Sequence, residues 1–380
     1  MSNTFVMTGK LSLGGNDKRK SFEDFLTDSG CNIRTLRLNM KCGDDFFNLQ
    51  IKSFMNDAKR KSDGTLNVDN STIYTILDND GKYESTSFKY KDKSKYEDKV
   101  ANFRKMVFVD GDERIECIDT YDYAEAIHSI FKLDGYEDTV FTVKGDIEYT
   151  KYKNPKTGIE NTYTNYNVNR IYVASPDAEE KAVANMELYI TQDCIDDADV
   201  LETGTFKVMG YVPQYLSKKK AEYGYYQLFE YPLNAEGDKI EKKYNVIRKL
   251  LLNNFEDNEL CKMGFKVNLI NRIKKVDFDV DTMITDDERD LLEFGIITKS
   301  ELEAKYGQGN GGRETKIEIE GITRNYTTGA IPIPLTLSSL MDDGEEKPIA
   351  NLNEDLSSDN NSDDMDVFAS IEDDDFDMGF

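Results

Sequence analysis

The chain has 380 residues, a formal net charge of −25, 38% hydrophobic residues and a mean hydropathy of −0.63; this suits two or three modest domains with real cores. No window of about 18 apolar residues occurs, so no membrane-spanning helix is expected, and the acidity argues against capture of duplex DNA on a broad basic surface. The first residues lack a charged segment followed by an apolar stretch, and the five cysteines are dispersed without a Cys-x-x-Cys pair, which predicts reduced thiols in a cytoplasm.

Strand patterns dominate the first three quarters of the chain, at 4–13, 33–40, 46–54 and 71–77. Within 34–40, Leu36, Leu38 and Met40 share one face while Thr35, Arg37 and Asn39 share the other, the period-2 pattern of a half-buried strand. Helices are predicted over 94–103 and 121–133, the second stopping at Asp134-Gly135. These elements define an expected N-terminal β-rich, OB-like domain at 1–138.

A second OB-like domain with helical additions is expected at 139–306. Phe141, Val143, Ile147 and Tyr149 alternate with polar positions around Gly145, a predicted bulge or bend. The turn at 153–158 joins this strand to a second one at 163–173, and further strands follow at 182–191, 205–212 and 223–231. Five strands with a glycine bend in the first suggest a small barrel of the OB type. The likeness between Val6-Met7-Thr8-Gly9-Lys10-Leu11 and Val143-Lys144-Gly145-Asp146-Ile147 leaves open one such barrel or two in tandem. Beyond them, 244–255 reads as a helix, 264–279 as a strand, and Thr285 and Thr298 open two short helices.

The Gly-rich run at 307–312 reads as a linker, placed with a terminal β segment in 307–340. Residues 341–380 carry fifteen Asp/Glu against the single Lys347, which leaves the body 58 acidic and 47 basic residues, a net of −11. So little apolar surface cannot offset the entropy of ordering, so a disordered acidic tail is expected. The predicted fold class is therefore mainly β, with OB-like barrel architecture, a few short helices and that tail.

Signals for catalysis are thin. The single histidine, His128, lies inside an amphipathic helical pattern, and no phosphate-binding glycine fingerprint follows a strand. Asp277, Asp279 and Asp281 alternate as a two-metal nuclease would need, although acidic residues closing a strand are the commoner explanation. No catalytic residue, metal or cofactor is assigned, and the expected protein is not an enzyme.

Basic residues interleaved with aromatics give a stronger signal. One cluster holds Lys89, Tyr90, Lys91 and Lys93. A second holds Tyr149, Lys151, Tyr152 and Lys153, with Tyr163, Tyr166, Arg170 and Tyr172 on the hairpin partner. A third holds Lys218, Lys219 and Tyr225. Single-stranded nucleic acid calls for this combination, cations for phosphates and flat rings for bases.

The chain ends in Asp373-Asp374-Asp375-Phe376-Asp377-Met378-Gly379-Phe380. With the β-rich body and glycine linker, this tip resembles bacteriophage single-stranded-DNA-binding proteins, whose acidic tails end in phenylalanine. The resemblance implies a body that coats single-stranded DNA in the host cytoplasm during replication or recombination. It also implies a tail that competes with DNA and recruits replication proteins (a polymerase, helicase or primase), with Phe376 and Phe380 as apolar contacts and Asp373, Asp374 and Asp375 as the charge. Met378-Gly379 departs from the Ile-Pro usual in bacterial tips, so the partner's identity does not transfer. Two other readings stay open: a phage structural or assembly protein with a solubilising tail, and a Mg-dependent nuclease.

Overall fold

The computed structural model describes residues 3–15, 19–133, 135–153, 157–158, 160–216, 221–252, 259–273, 284–306, 313–325, 337 and 340. Ten long strands build the body: β1 (Thr4–Leu13), β2 (Asn32–Cys42), β3 (Asp45–Met55), β4 (Val140–Lys153), β5 (Glu160–Val173), β6 (Lys181–Ile190), β7 (Thr205–Leu216), β8 (Ala221–Pro232), β9 (Cys261–Ile273) and β10 (Arg313–Asn325). They close as two successive five-stranded barrels.

In the first barrel β1 pairs with β2, β2 with β3, β3 in parallel with β5, β5 with β4, and β4 back to β1. The second repeats this order: β6 pairs with β7, β7 with β8, β8 in parallel with β10, β10 with β9, and β9 back to β6. Helix α1 (Thr120–Phe131) lies between the third and fourth strands of the first barrel, and α2 (Asp238–Leu252) occupies the same place in the second. Two OB-type barrels thus stand in tandem, with identical strand order.

The division between them differs from the expected one. Strands 140–153 and 160–173 are the last two of the first barrel, so the boundary expected at 138/139 falls inside it. The segment expected to trail a linker, 313–325, is the closing strand of the second barrel. Val6–Leu11 therefore has β6, and not the strand around Gly145, as its counterpart. The helix predicted over 94–103 is instead three 3₁₀ turns at Tyr90–Lys95, Glu97–Lys99 and Asn102–Arg104.

Alternation explains the cores. Leu36, Leu38 and Met40 of β2 face Phe47, Leu49 and Ile51 of β3, all nearly inaccessible, with Phe5, Met7, Phe141, Val143 and Val168 completing the interior. The predicted bend at Gly145 is present: the β4–β5 register shifts between Lys144 and Gly145. A Cβ there would lie 1.9 Å from the Asn167 carbonyl oxygen, so the strand can wrap only with glycine at this position.

Residues 59–105 form an insertion between β3 and α1, built on a hairpin of Thr72–Asn79 with Lys82–Lys89. Arg34 ties α1 to the barrel: its guanidinium donates to Asp24, Glu125 and the Tyr121 hydroxyl. His128 of α1 stacks on Phe22, with ring centroids 4.3 Å apart, and burial lowers its pKa. It serves packing.

Asp119 caps α1, accepting from the Asp122 amide at 2.9 Å, while its second carboxylate oxygen is buried without a hydrogen-bond partner. Burial, reinforced by the neighbouring Asp122 charge, pushes its pKa up to about 7. A carboxyl raised from its ordinary value of about 3.9 contributes stability that is complete below that value and lost as pH rises toward 7. Asp119→Asn keeps a capping oxygen, so its melting temperature should exceed that of the unaltered chain above pH 7, with the gap closing toward pH 4. Thermal melts across that range showing a constant gap would refute this assignment.

Candidate nucleic-acid interface

Several contacts among the described residues join the two barrels. Their first strands pair antiparallel, Thr4 opposite Asn185 through Thr8 opposite Lys181. The β4–β5 hairpin of the first barrel leans on the second: the Tyr149 amide donates to Gln214 Oε1 at 2.7 Å, and Gln214 Nε2 returns a bond to the Tyr149 carbonyl. Tyr149 stacks on Tyr225, with centroids 5.6 Å apart. At the opposite side, Asn271 of β9 donates from its amide to Asp45 at 2.8 Å and from its side chain to the Phe46 carbonyl.

This joint absorbs much of two predicted clusters. Tyr149 and Tyr225 are 1% and 2% exposed, so their rings cannot stack on bases; that expectation is corrected. Both occupy core-facing positions of their strands, where Tyr225 packs against the rings of Tyr149 and Tyr223. Lys151 pairs with Glu160 at 3.1 Å and lies over the Tyr223 ring at 5.0 Å. Tyr166 packs edge-on against Phe5 and Phe47. Tyr152, Tyr163 and Tyr172 are half-buried along the hairpin, Tyr172 beneath Lys144, and Arg170 donates to the Asn102 carbonyl at 3.3 Å. Lys153 closes β4.

The first cluster sits on the insertion. Lys89 donates to the Asn70 carbonyl and Thr72, while Lys93 and Tyr90 both bind Asp122; Lys91 is exposed. Structural partners thus engage most of this cluster. Lys218, Lys219, the tip residues Asp373, Asp374, Asp375, Phe376 and Phe380, and Asp277, Asp279 and Asp281 lie outside the described residues. Among the described residues no group of three His, Cys, Asp or Glu is placed to hold a metal, and no helix is long and apolar enough to cross a membrane.

A different surface combines aromatic rings with cations. With Leu36, Leu38, Met40, Phe47, Leu49 and Ile51 turned inward, the alternate residues of β2 and β3 face outward: Thr35, Arg37, Asn39 and Lys41 beside Phe46, Asn48, Gln50, Lys52 and Phe54. Register places Lys41 opposite Phe46, Arg37 opposite Gln50, and Thr35 opposite Lys52. Three cations and two phenylalanines share this face, and none of its positions is a carboxylate. Phe54 is 42% exposed. The Lys41 ammonium lies 5.5 Å from the Phe46 centroid and the Lys52 ammonium 5.2 Å from that of Phe54.

The edges of the face are polar. Gln50 donates to Asn167 of β5, which donates in turn to Glu148; Arg37 reaches Glu23 at 2.8 Å. Burial lowers the Lys52 pKa, with Glu148 opposing and Arg37 reinforcing the shift. At the Phe46 end, Asn271 of the second barrel adjoins, holding Arg313 through a 2.7 Å bond from its Nε. The signal for this face in the sequence is the alternation itself, which sets Thr35, Arg37 and Asn39 on the side opposite Leu36, Leu38 and Met40.

No protein-family model and no curated relative matches the sequence. Among solved structures, the chain is similar to the wild-type single-stranded DNA binding protein from Thermus aquaticus, at 10% identity and a TM-score of 0.33, over 89% of this chain and 98% of that one. A deletion mutant of the same Thermus aquaticus protein aligns at 9% identity and a TM-score of 0.32, over 86% of this chain and 95% of that one.

Proposed function

We propose that the protein binds single-stranded DNA without sequence preference, along the outer face of β2 and β3, and coats it during bacteriophage DNA replication or recombination. The observation that carries this reading is the coincidence of Arg37, Lys41 and Lys52 with the rings of Phe46 and Phe54 on one face to which β2 and β3 contribute no carboxylate, Glu23 of the adjoining 22–26 strand pairing with Arg37 at its edge. Cations track phosphates while rings stack on bases of any identity. Amide side chains between them (Asn39, Asn48, Gln50) supply hydrogen bonds without adding charge.

Net acidity is compatible with this binding. Charges more than about 10 Å away are largely screened at 0.1 M salt, so the local face decides attraction while distant carboxylates disfavour duplex. The acidic segment 341–380 completes the reading as a competitor for the cationic face and as the hook for replication proteins, with Phe380 and Asp373–Asp375 making the contacts.

Anisotropy titrations of dT and rU oligomers at two salt concentrations, with the full chain and a chain ending at residue 340, test the proposal. Binding of dT should weaken as salt rises, and removal of the fourteen net negative charges of 341–380 should tighten it. Failure of either protein to bind dT at low salt would overturn the reading.

A further inference from the structure

The second barrel presents the equivalent face differently. Its outward row crosses β6, β7 and β8 through Tyr189, Tyr211 and Gly224, with Tyr226 beside Tyr211 at a centroid distance of 5.8 Å. This row is covered. Leu340 is fully buried against Tyr189 and Leu260, and Leu337 and Tyr211 pack on the same cluster. Gly224 makes the seat: a Cβ there would come within 2.8 Å of Leu340 Cγ. Further along the same face Tyr215, Tyr226 and Leu228 remain 61%, 51% and 45% exposed.

Electrostatics separate the two faces as well. Glu222 and Glu230 stand on the outward side of β8, and Glu222 accepts a hydrogen bond from the Tyr189 hydroxyl at 2.7 Å. Lys207, outward on β7, sits 3.9 Å from Asp196. The first barrel's face is cationic and open; the second barrel's is aromatic, close to neutral, and partly roofed by the chain's own leucines. Residue 340 is also the last before fifteen carboxylates and one lysine, so the seat fixes where that acidic segment starts.

We infer that the outer face of β6–β8 is a docking site filled in the free protein by Leu337 and Leu340, and that single-stranded DNA engages this second barrel only by displacing them. The inference rests on the proposed single-strand function for its competing ligand, while the docking itself rests on burial. It makes the barrels unequal: the first captures the strand, and the second is recruited when enough strand is present to replace the leucines.

The test uses full-length chains in which Leu337→Ser and Leu340→Ser are combined, leaving the charge of the acidic segment unchanged. Tyr211→Trp, introduced in both backgrounds, supplies the chain's single tryptophan beside the seat. Acrylamide should quench it more strongly in the serine variant without DNA; equal quenching would overturn the docking. A barrel of this type covers about 4–16 nucleotides. Affinity for dT8 should therefore be unchanged, whereas dT30 should bind about tenfold more tightly to the serine variant, with more nucleotides occluded per molecule. If quenching rises but dT30 affinity and occluded length do not, the competition is overturned. If neither protein binds either oligomer, the single-strand reading fails, and the quenching still decides the docking.

Discussion

Replacing Arg37, Lys41 and Lys52 together by alanine should weaken binding of dT oligomers about a hundredfold at 0.1 M salt, because each charge-assisted contact to phosphate contributes on the order of 1 kcal/mol net. The salt dependence should change with it. Each phosphate neutralised on a single strand adds about −0.7 to the slope of log affinity against log salt, so losing three contacts should flatten the slope by about 2. All three side chains lie on the outer face of β2 and β3, which leaves the core intact; unchanged melting temperature is the control. Phe46→Ala and Phe54→Ala should each cost about 1–3 kcal/mol of binding, the worth of one stacked base, with little effect on the slope. A triple variant that binds dT with unaltered slope would place the strand on another surface.

The largest expected effect on stability is at Gly145. Alanine there brings a Cβ to 1.9 Å from the Asn167 carbonyl oxygen and 2.8 Å from the Phe5 ring. Neither the backbone of β5 nor a fully buried phenylalanine can yield without opening the β4–β5 ladder. We expect a loss of about 3 kcal/mol, the upper range for overpacking a core, and a fall in melting temperature of roughly 10 °C. Gly210 is the internal comparison: a Cβ there meets Ile190 and Leu188 side chains at an ordinary 3.5 Å, so Gly210→Ala should shift stability by less than about 1 kcal/mol. Equal melting temperatures for the two variants would contradict the role given to the bend.

Local pattern carried much of the fold. The alternation of Leu36, Leu38 and Met40, the bend at Gly145 and the capping box at Thr285 with Glu288 were all legible, because each depends on residues a few positions apart. The partition into barrels was not, because it depends on which strands close on which. Met7 pairs with Val143 across the β2–β3 hairpin, the 59–105 insertion, a further hairpin at 106–117 and α1, and no local pattern encodes that choice. A run of five strands in sequence therefore read as one barrel, although it comprises the last two strands of one and the first three of the next.

The site was legible in part for a related reason. Counting tyrosines and lysines in windows ignores strand parity. Tyr149 shares its parity with Phe141, Val143 and Ile147, so the same alternation that revealed the strand already assigned that ring to the interior. Arg37 shares its parity with Thr35 and Asn39, away from the core. Parity was a better guide than density. It could not, however, pair β2 with Phe46 and Lys52 of β3, which takes the register between strands.

The claim that a single strand runs over the first barrel is tested most directly by photocrosslinking the full chain to dT oligomers carrying 5-iodouracil and mapping the adducts by mass spectrometry. A base stacked on this face should crosslink to Phe46 or Phe54, and competition with unmodified dT should abolish the adducts. Adducts confined to the 59–105 insertion or to the β4–β5 hairpin, from a protein that binds the oligomer, would contradict it.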